Sequence, residues 1–284
     1  MALSKKRRYD ALPVRAIDSW YDIPKLLAHC SLFRNRGWLF RGVCRGDFDL
    51  IPKIGRSDAR KWKPDSGIHM PYQLKDERAV LRLFQDRAPP LLRFQPRHEL
   101  EWLAVAQHYG VPTRLLDWTE NILVASWFAC EQYLERVSPV EARVKGLLTR
   151  SNRQRPEAKL APDPAIWITC DVQHISSAEE RAPFKIRSPR SYRPPFVSER
   201  IASQGSILTI HGDPRKPFKP DVVFRVPIAK SACFTILKRL DAAGYNFSTV
   251  FPDAGGLGVY LNWRYKNVWL PNYKRLTIDE SKDR

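Results

Sequence analysis

The segment Gln107-His108-Tyr109-Gly110-Val111-Pro112-Thr113-Arg114-Leu115-Leu116-Asp117-Trp118-Thr119 sets chargeable side chains against the ends of strongly apolar runs. The shorter segment Gly37-Trp38-Leu39-Phe40-Arg41-Gly42 does the same around one arginine. A buried charge without a partner costs several kcal/mol or more, so such residues must meet partners or share a pocket. Arg41, after Trp-Leu-Phe, is expected on a buried strand or at its mouth. Gln107 and His108 are expected on the last turn of a helix that Gly110 and Pro112 stop. Two such places in one chain point to a common pocket.

Hydrophobic periodicity supplies the surrounding elements. Trp20, Ile23, Leu26 and Leu27 predict a helix over 17–34, and Val80, Leu81, Leu83 and Phe84 one that starts at 77 and breaks at Pro89-Pro90. Leu100, Leu103, Ala104 and Ala106 line a helix over 98–109, and 121–135 and 231–243 read as two more. Strands are expected at 38–41, 165–170, 206–210 and 222–228. The stretch 113–119 reads as a loop between helices, 53–76 as a loop, and 257–266 as ambiguous. The expected fold is α+β, a single domain with a central mixed sheet surrounded by helices. A flexible basic arm at 1–12, a basic surface insertion at 139–163 and a polar tail at 277–284 decorate a body over 13–276.

The 284 residues carry 43% hydrophobic residues and nine tryptophans, which excludes wholesale disorder. A net charge of +18 directs the chain toward polyanions, nucleic acid or a phosphate-rich ligand, although solubility charge on an ordinary enzyme also accounts for it. Arg150, Arg153 and Arg155 in the insertion are the candidate nucleic-acid contacts. Five scattered cysteines without Cys-x-x-Cys spacing favour reduced thiols in the cytoplasm and predict no metal site. The longest apolar run, 122–130, is about half of what a membrane span needs, so no membrane partner is expected. P-loop, Gly-x-Ser-x-Gly and His-Glu-x-x-His signatures are missing, which argues against several ATPase and hydrolase classes.

Phe40-Arg41-Gly42, Leu50-Ile51-Pro52, the Gln107–Ala129 block, Glu199-Arg200-Ile201-Ala202-Ser203-Gln204-Gly205-Ser206 and Phe251-Pro252-Asp253 together resemble the FRG domain family, over most of residues 35–260. The resemblance implies bacterial or phage-associated genes in defence-like settings. The strand around Phe40-Arg41-Gly42 is also similar to the opening strand of many ADP-ribosyltransferases, where the arginine helps to hold the dinucleotide. That likeness implies NAD as substrate, with Arg41, His108, Asp117 and Glu199 as catalytic residues and Gly42, Gln107, Thr113, Arg114 and Gln204 in substrate binding.

Each of these residues also has a structural reading. The planar, always-charged fork of Arg41 suits phosphate or carboxylate, or an ion pair with Asp117. Gly42 next to it lets a ligand approach the backbone. At a helix C-terminus the dipole favours a protonated His108, which donates to an anion, acts as an acid, or bonds its own helix carbonyls. Asp117 serves a ligand or caps the following helix. Glu199 stabilises a ribosyl cation, as glycosidase carboxylates do, or forms a surface salt bridge. The expected function is a nucleotide-directed toxin or defence effector that transfers ADP-ribose or cleaves NAD, with a neutralising partner protein possible. The alternatives are a nucleic-acid-binding module without catalysis and a metal-free nuclease built on His108.

Overall fold

The computed structural model describes residues 12–32, 36–56, 71–137, 161–195 and 199–266. Strand β1 (Leu39–Val43) lies between β2 (Leu115–Thr119) and β3 (Ala165–Thr169). Beyond β2 come β5 (Ser206–Ile210) and then β4 (Arg190–Tyr192), and beyond β3 comes β6 (Val223–Pro227). The α+β class is as expected. The expected mixed sheet is instead antiparallel at every strand pair, with parallel pairing confined to the isolated bridges Ile17–Ile228 and His174–Ser191.

Alternation along the strands distributes the core to both sides of the sheet. Phe40, Ile166 and Ile168 pack beneath α4 (Ile122–Gln132) and α7 (Cys233–Ala242), with Ile23 and Leu26 of α1 (Asp22–Leu32) completing that cluster. Leu39 points the other way, into a cluster with Leu50, Leu116, Trp118, Ile207 and Phe218. Leu115, Leu208 and Ile210 face α3 (Glu99–His108), which in turn packs on Leu81 of α2 (Leu74–Arg87). The remaining helices are α5 (Ser177–Arg181), α6 (Glu199–Ser203), α8 (Phe247–Val250) and α9 (Ala254–Arg264), so the ambiguous 257–266 stretch is mostly helical.

Local chemistry explains the boundaries that position the site. Gly110, at φ 91, takes the left-handed turn that stops α3, and the Val111 N–H returns to the Ala106 carbonyl at 3.0 Å. The residues expected as a loop after it form β2, because Leu115 to Thr119 pair residue for residue with β5. The sheet is covered on both faces here, so Leu115, Leu116, Trp118 and Thr119 are buried and Asp117 alone of the five is exposed. Asn121, not Asp117, caps α4, accepting from the Leu123 N–H at 2.9 Å. The arginines Arg150, Arg153 and Arg155, residues 1–11 and the tail at 277–284 lie outside the described residues.

Candidate active site

β1 and β2 pair at the single position Phe40–Thr119. Below it Arg41 reaches across to β2, where Nη1 donates to the Asp117 carbonyl oxygen at 2.7 Å and lies 3.8 Å from Asp117 Oδ2. The arginine therefore holds the peptide more closely than it holds the carboxylate. Its side chain is 18% exposed, and burial pulls its pKa down to about 10, against the pull of Asp117 and with help from Arg56. It stays charged at neutral pH. Gly42 has another task than the one expected: a Cβ there would lie 1.9 Å from the Ala125 carbonyl oxygen and 2.7 Å from the Ala129 nitrogen. The glycine admits the backbone of α4, and it also lines the smaller of the two cavities described next.

Asp117 stands at the mouth of a cavity of about 330 Å³ whose wall includes Arg41, Lys53, Arg56, His108 and Arg200. A second cavity of about 290 Å³ shares Arg41, Arg56, Asp117, Phe128, Gln204 and Ser206 with the first, so the two are lobes of one cleft. Lys53 Nζ donates to the Gly110 carbonyl at 3.1 Å, and Arg56 Nε to the Ile51 carbonyl at 2.9 Å. Arg200 lies 4.0 Å above the Phe251 ring, and its buried Nε meets no hydrogen-bond acceptor among the described residues. Burial lowers its pKa, opposed by Asp253. A guanidinium with a donor left over, facing a cleft, is a ready anion contact.

His108 is half-buried on the last turn of α3, edge-on to Tyr109 at 5.0 Å between centroids. Its pKa is lowered, first by burial and then by Arg200, with Asp117 opposing. Desolvation and a neighbouring cation thus outweigh the helix dipole, which was expected to favour the protonated ring. At neutral pH the imidazole is a proton acceptor.

Of the four residues expected to act together, Arg41, His108 and Asp117 line one cavity and Glu199 does not. Glu199 is exposed on the first turn of α6, and it is the next residue, Arg200, that faces the cleft. Gln204 also lines it, with its side-chain Nε2 donating to the Val250 carbonyl at 3.0 Å and its main-chain carbonyl accepting from Thr119 Oγ1 at 2.6 Å. Gln107 lines the cleft and donates to Asp117 Oδ1 at 2.6 Å. Thr113 is buried behind it.

Arg114 belongs to a separate network. It is 1% exposed and forks onto Glu77 at 2.7 Å (Nη2 to Oε2) and 3.1 Å (Nε to Oε1), with Nη2 also donating to Tyr72 Oη at 2.8 Å. Its guanidinium lies 4.5 Å above the Phe184 ring and does not face the cleft. Lys53 and Arg56 went unnoticed in the sequence because they lie in a stretch without periodicity. Among the described residues no group of three His, Cys, Asp or Glu is placed to hold a metal ion, and no helix is long and apolar enough to cross a membrane.

Residues 36–137 match the family model of the FRG domain. Over that stretch the chain is similar to the FRG domain. The match covers the first part of the longer resemblance. The matched stretch supplies Arg41, Lys53, Arg56, Gln107, His108 and Asp117, whereas Arg200, Gln204 and Phe251 close the cleft from beyond it. No curated protein and no solved structure matches the chain.

Proposed function

We propose that the cleft binds NAD and breaks its nicotinamide–ribose bond, releasing ADP-ribose or transferring it to an acceptor. The observation that carries this reading is the gathering of Arg41, Arg200 and neutral His108 around one carboxylate, Asp117. Phosphates suit the cationic wall, where Arg guanidinium groups offer paired donors. As the bond from the ribose C1′ to the pyridinium nitrogen breaks, its electron pair leaves with nicotinamide and positive charge grows on the ribose. A fixed carboxylate at that point lowers the barrier. The nucleophile, water or an acceptor hydroxyl, then forms the new C1′–O bond and passes its proton to His108. Asp117, not Glu199, takes the carboxylate role, since of these two only Asp117 lines the cleft.

NAD consumption in a cell is toxic, which fits a toxin or defence effector with a neutralising partner. The five buried thiols, none in a disulfide, favour the cytoplasm. The net charge of +18 favours a second reading, nucleic-acid binding without chemistry, in which the same cations hold phosphodiesters. Nicotinamide release by the purified protein, followed by chromatography with and without nucleic acid as acceptor, separates the two. Release that disappears in a folded Asp117→Asn variant supports the enzyme. No release under either condition, together with salt-sensitive nucleic-acid binding, leaves the binding reading.

A further inference from the structure

Asp117 is 65% exposed, and a carboxylate so open to water turns freely unless something holds it. Three hydrogen bonds in series do so. The Leu115 N–H donates to Thr113 Oγ1 at 3.2 Å, which leaves the hydroxyl hydrogen of Thr113 for Gln107 Oε1. A carboxamide whose oxygen is occupied there must turn its NH₂ the other way, and Gln107 Nε2 donates to Asp117 Oδ1 at 2.6 Å. Thr113 is 1% exposed, so water has little access to replace it. The turn at Gly110 folds the chain back far enough for Gln107, at the end of α3, to meet both residues.

We infer that Gln107 and Thr113 are positioning residues: a one-way relay from the β2 backbone orients the Asp117 carboxylate, with Oδ1 tied back and Oδ2 presented to the reacting group. Their expected part in substrate binding is replaced by this one. The relay leaves the carboxylate charge intact, because its close donor is a neutral amide while Arg41 spends its 2.7 Å contact on the carbonyl. The catalytic consequence rests on the reading of Asp117 as the carboxylate that faces the ribose, whereas the direction of the relay does not.

The test is the side-chain NH₂ resonance pair of Gln107 in the full-length protein, followed by amide NMR beside a nicotinamide-release assay. In the wild type one proton of the pair is shifted downfield and exchanges slowly. Thr113→Val removes the donor that fixes the amide, and the pair moves to ordinary solvent-exposed positions, while Thr113→Ser keeps the native signature. Where nicotinamide is released, Thr113→Val lowers kcat about tenfold with KM unchanged, and Thr113→Ser restores it. An unaltered Gln107 resonance in Thr113→Val overturns the relay whatever the activity. Its loss in the valine and retention in the serine variant supports the relay even if the wild type leaves NAD intact, an outcome that sinks only the NAD reading. A kcat equal to wild type despite the lost resonance overturns the positioning role. If Thr113→Val melts too early to measure, Gln107→Glu decides. It sets a second carboxylate against Asp117, so one of the two titrates at raised pH by carboxyl-carbon NMR. An unchanged titration overturns the relay.

Discussion

A Cβ on Gly42 would stand 1.9 Å from the Ala125 carbonyl oxygen, closer than any non-bonded carbon approaches an oxygen. Phe40 and Gly42 therefore meet the same helix, one by burying a ring beneath it and the other by making room for its backbone. Arg41 between them is left to turn toward β2 and the cleft. The Phe-Arg-Gly motif is two packing residues around one that faces the cleft.

Gly42→Ala should accordingly cost stability rather than ligand affinity. The clash involves backbone atoms, so α4 must shift bodily, and the loss should reach about 3 kcal/mol, the upper range of overpacking. Urea unfolding measures it. A variant that unfolds within about 0.5 kcal/mol of the parent would show that α4 does not sit against β1 as described.

Arg114 and Glu77 form a buried pair in which each depends on the other. Arg114→Met strands the Glu77 carboxylate and should cost about 3–5 kcal/mol. The double variant Arg114→Met/Glu77→Met should recover most of that loss, since a matched apolar pair leaves no orphaned charge. Ligand binding per folded molecule should be unchanged in the double variant. A clear loss of binding there would return Arg114 to the functional site.

The contrast between Arg41 and Arg114 shows what the sequence can reveal. Both follow or precede apolar residues, and both read as ligand contacts from the sequence. Only the tertiary structure, which brings α2 beside the start of β2, decides that Arg114 turns to Glu77, a residue 37 positions away. The amphipathic helices announced themselves because burial on one face leaves a 3.6-residue period, as in α2 and α7. β2 did not, since Leu-Leu-Asp-Trp-Thr is buried at four of its five positions and so lacks the alternation of a half-exposed strand. Arg41, His108 and Asp117 were legible from their setting between apolar runs. Glu199 and Arg200 are neighbours on one short helix, about 100° apart around its axis, and no local signal told which would face inward. The departures from expectation at Gly42 and His108 have the same origin, since the proximity of α4 and of Arg200 is a tertiary fact.

His211 gives a pH dependence that is independent of function. Burial, and then Arg114, hold its pKa at about 4, well below the ordinary 6.5. The neutral ring shares a 2.9 Å hydrogen bond with Thr209 Oγ1, which also accepts from Trp118 Nε1 at 3.1 Å. A depressed pKa in the folded state means that stability is fully present above pH 6.5 and is lost as pH falls toward about 4. Across that window the loss is on the order of 3 kcal/mol. Urea unfolding at pH 7 and pH 4.5 should show it, and His211→Gln should flatten the slope. An equal slope in the variant would place the acid sensitivity elsewhere.

His108 should respond to its two charged neighbours in opposite directions. Arg200 disfavours the imidazolium and Asp117 favours it, so Arg200→Gln should raise the His108 pKa and Asp117→Asn should lower it further. Imidazole proton resonances followed through a pH titration read both shifts without any activity assay. Shifts of the same sign, or none, would mean that the three groups do not share the cleft.

Arg41→Lys isolates the geometry of the guanidinium from its charge. Lysine keeps the cation but has one terminal nitrogen, so it cannot hold the Asp117 carbonyl and an incoming phosphate as a planar fork does. Affinity for ADP-ribose should fall by about tenfold or more by calorimetry, whereas the melting temperature should move little, because the side chain is not sealed in the core. Arg200→Lys, whose Nε gives up no hydrogen bond among the described residues, should weaken the same ligand without altering Asp117. If Arg41→Lys instead melts early and binds normally once folded, the arginine is a structural clasp between β1 and β2. The phosphate contact would then fall to Lys53, Arg56 and Arg200 alone.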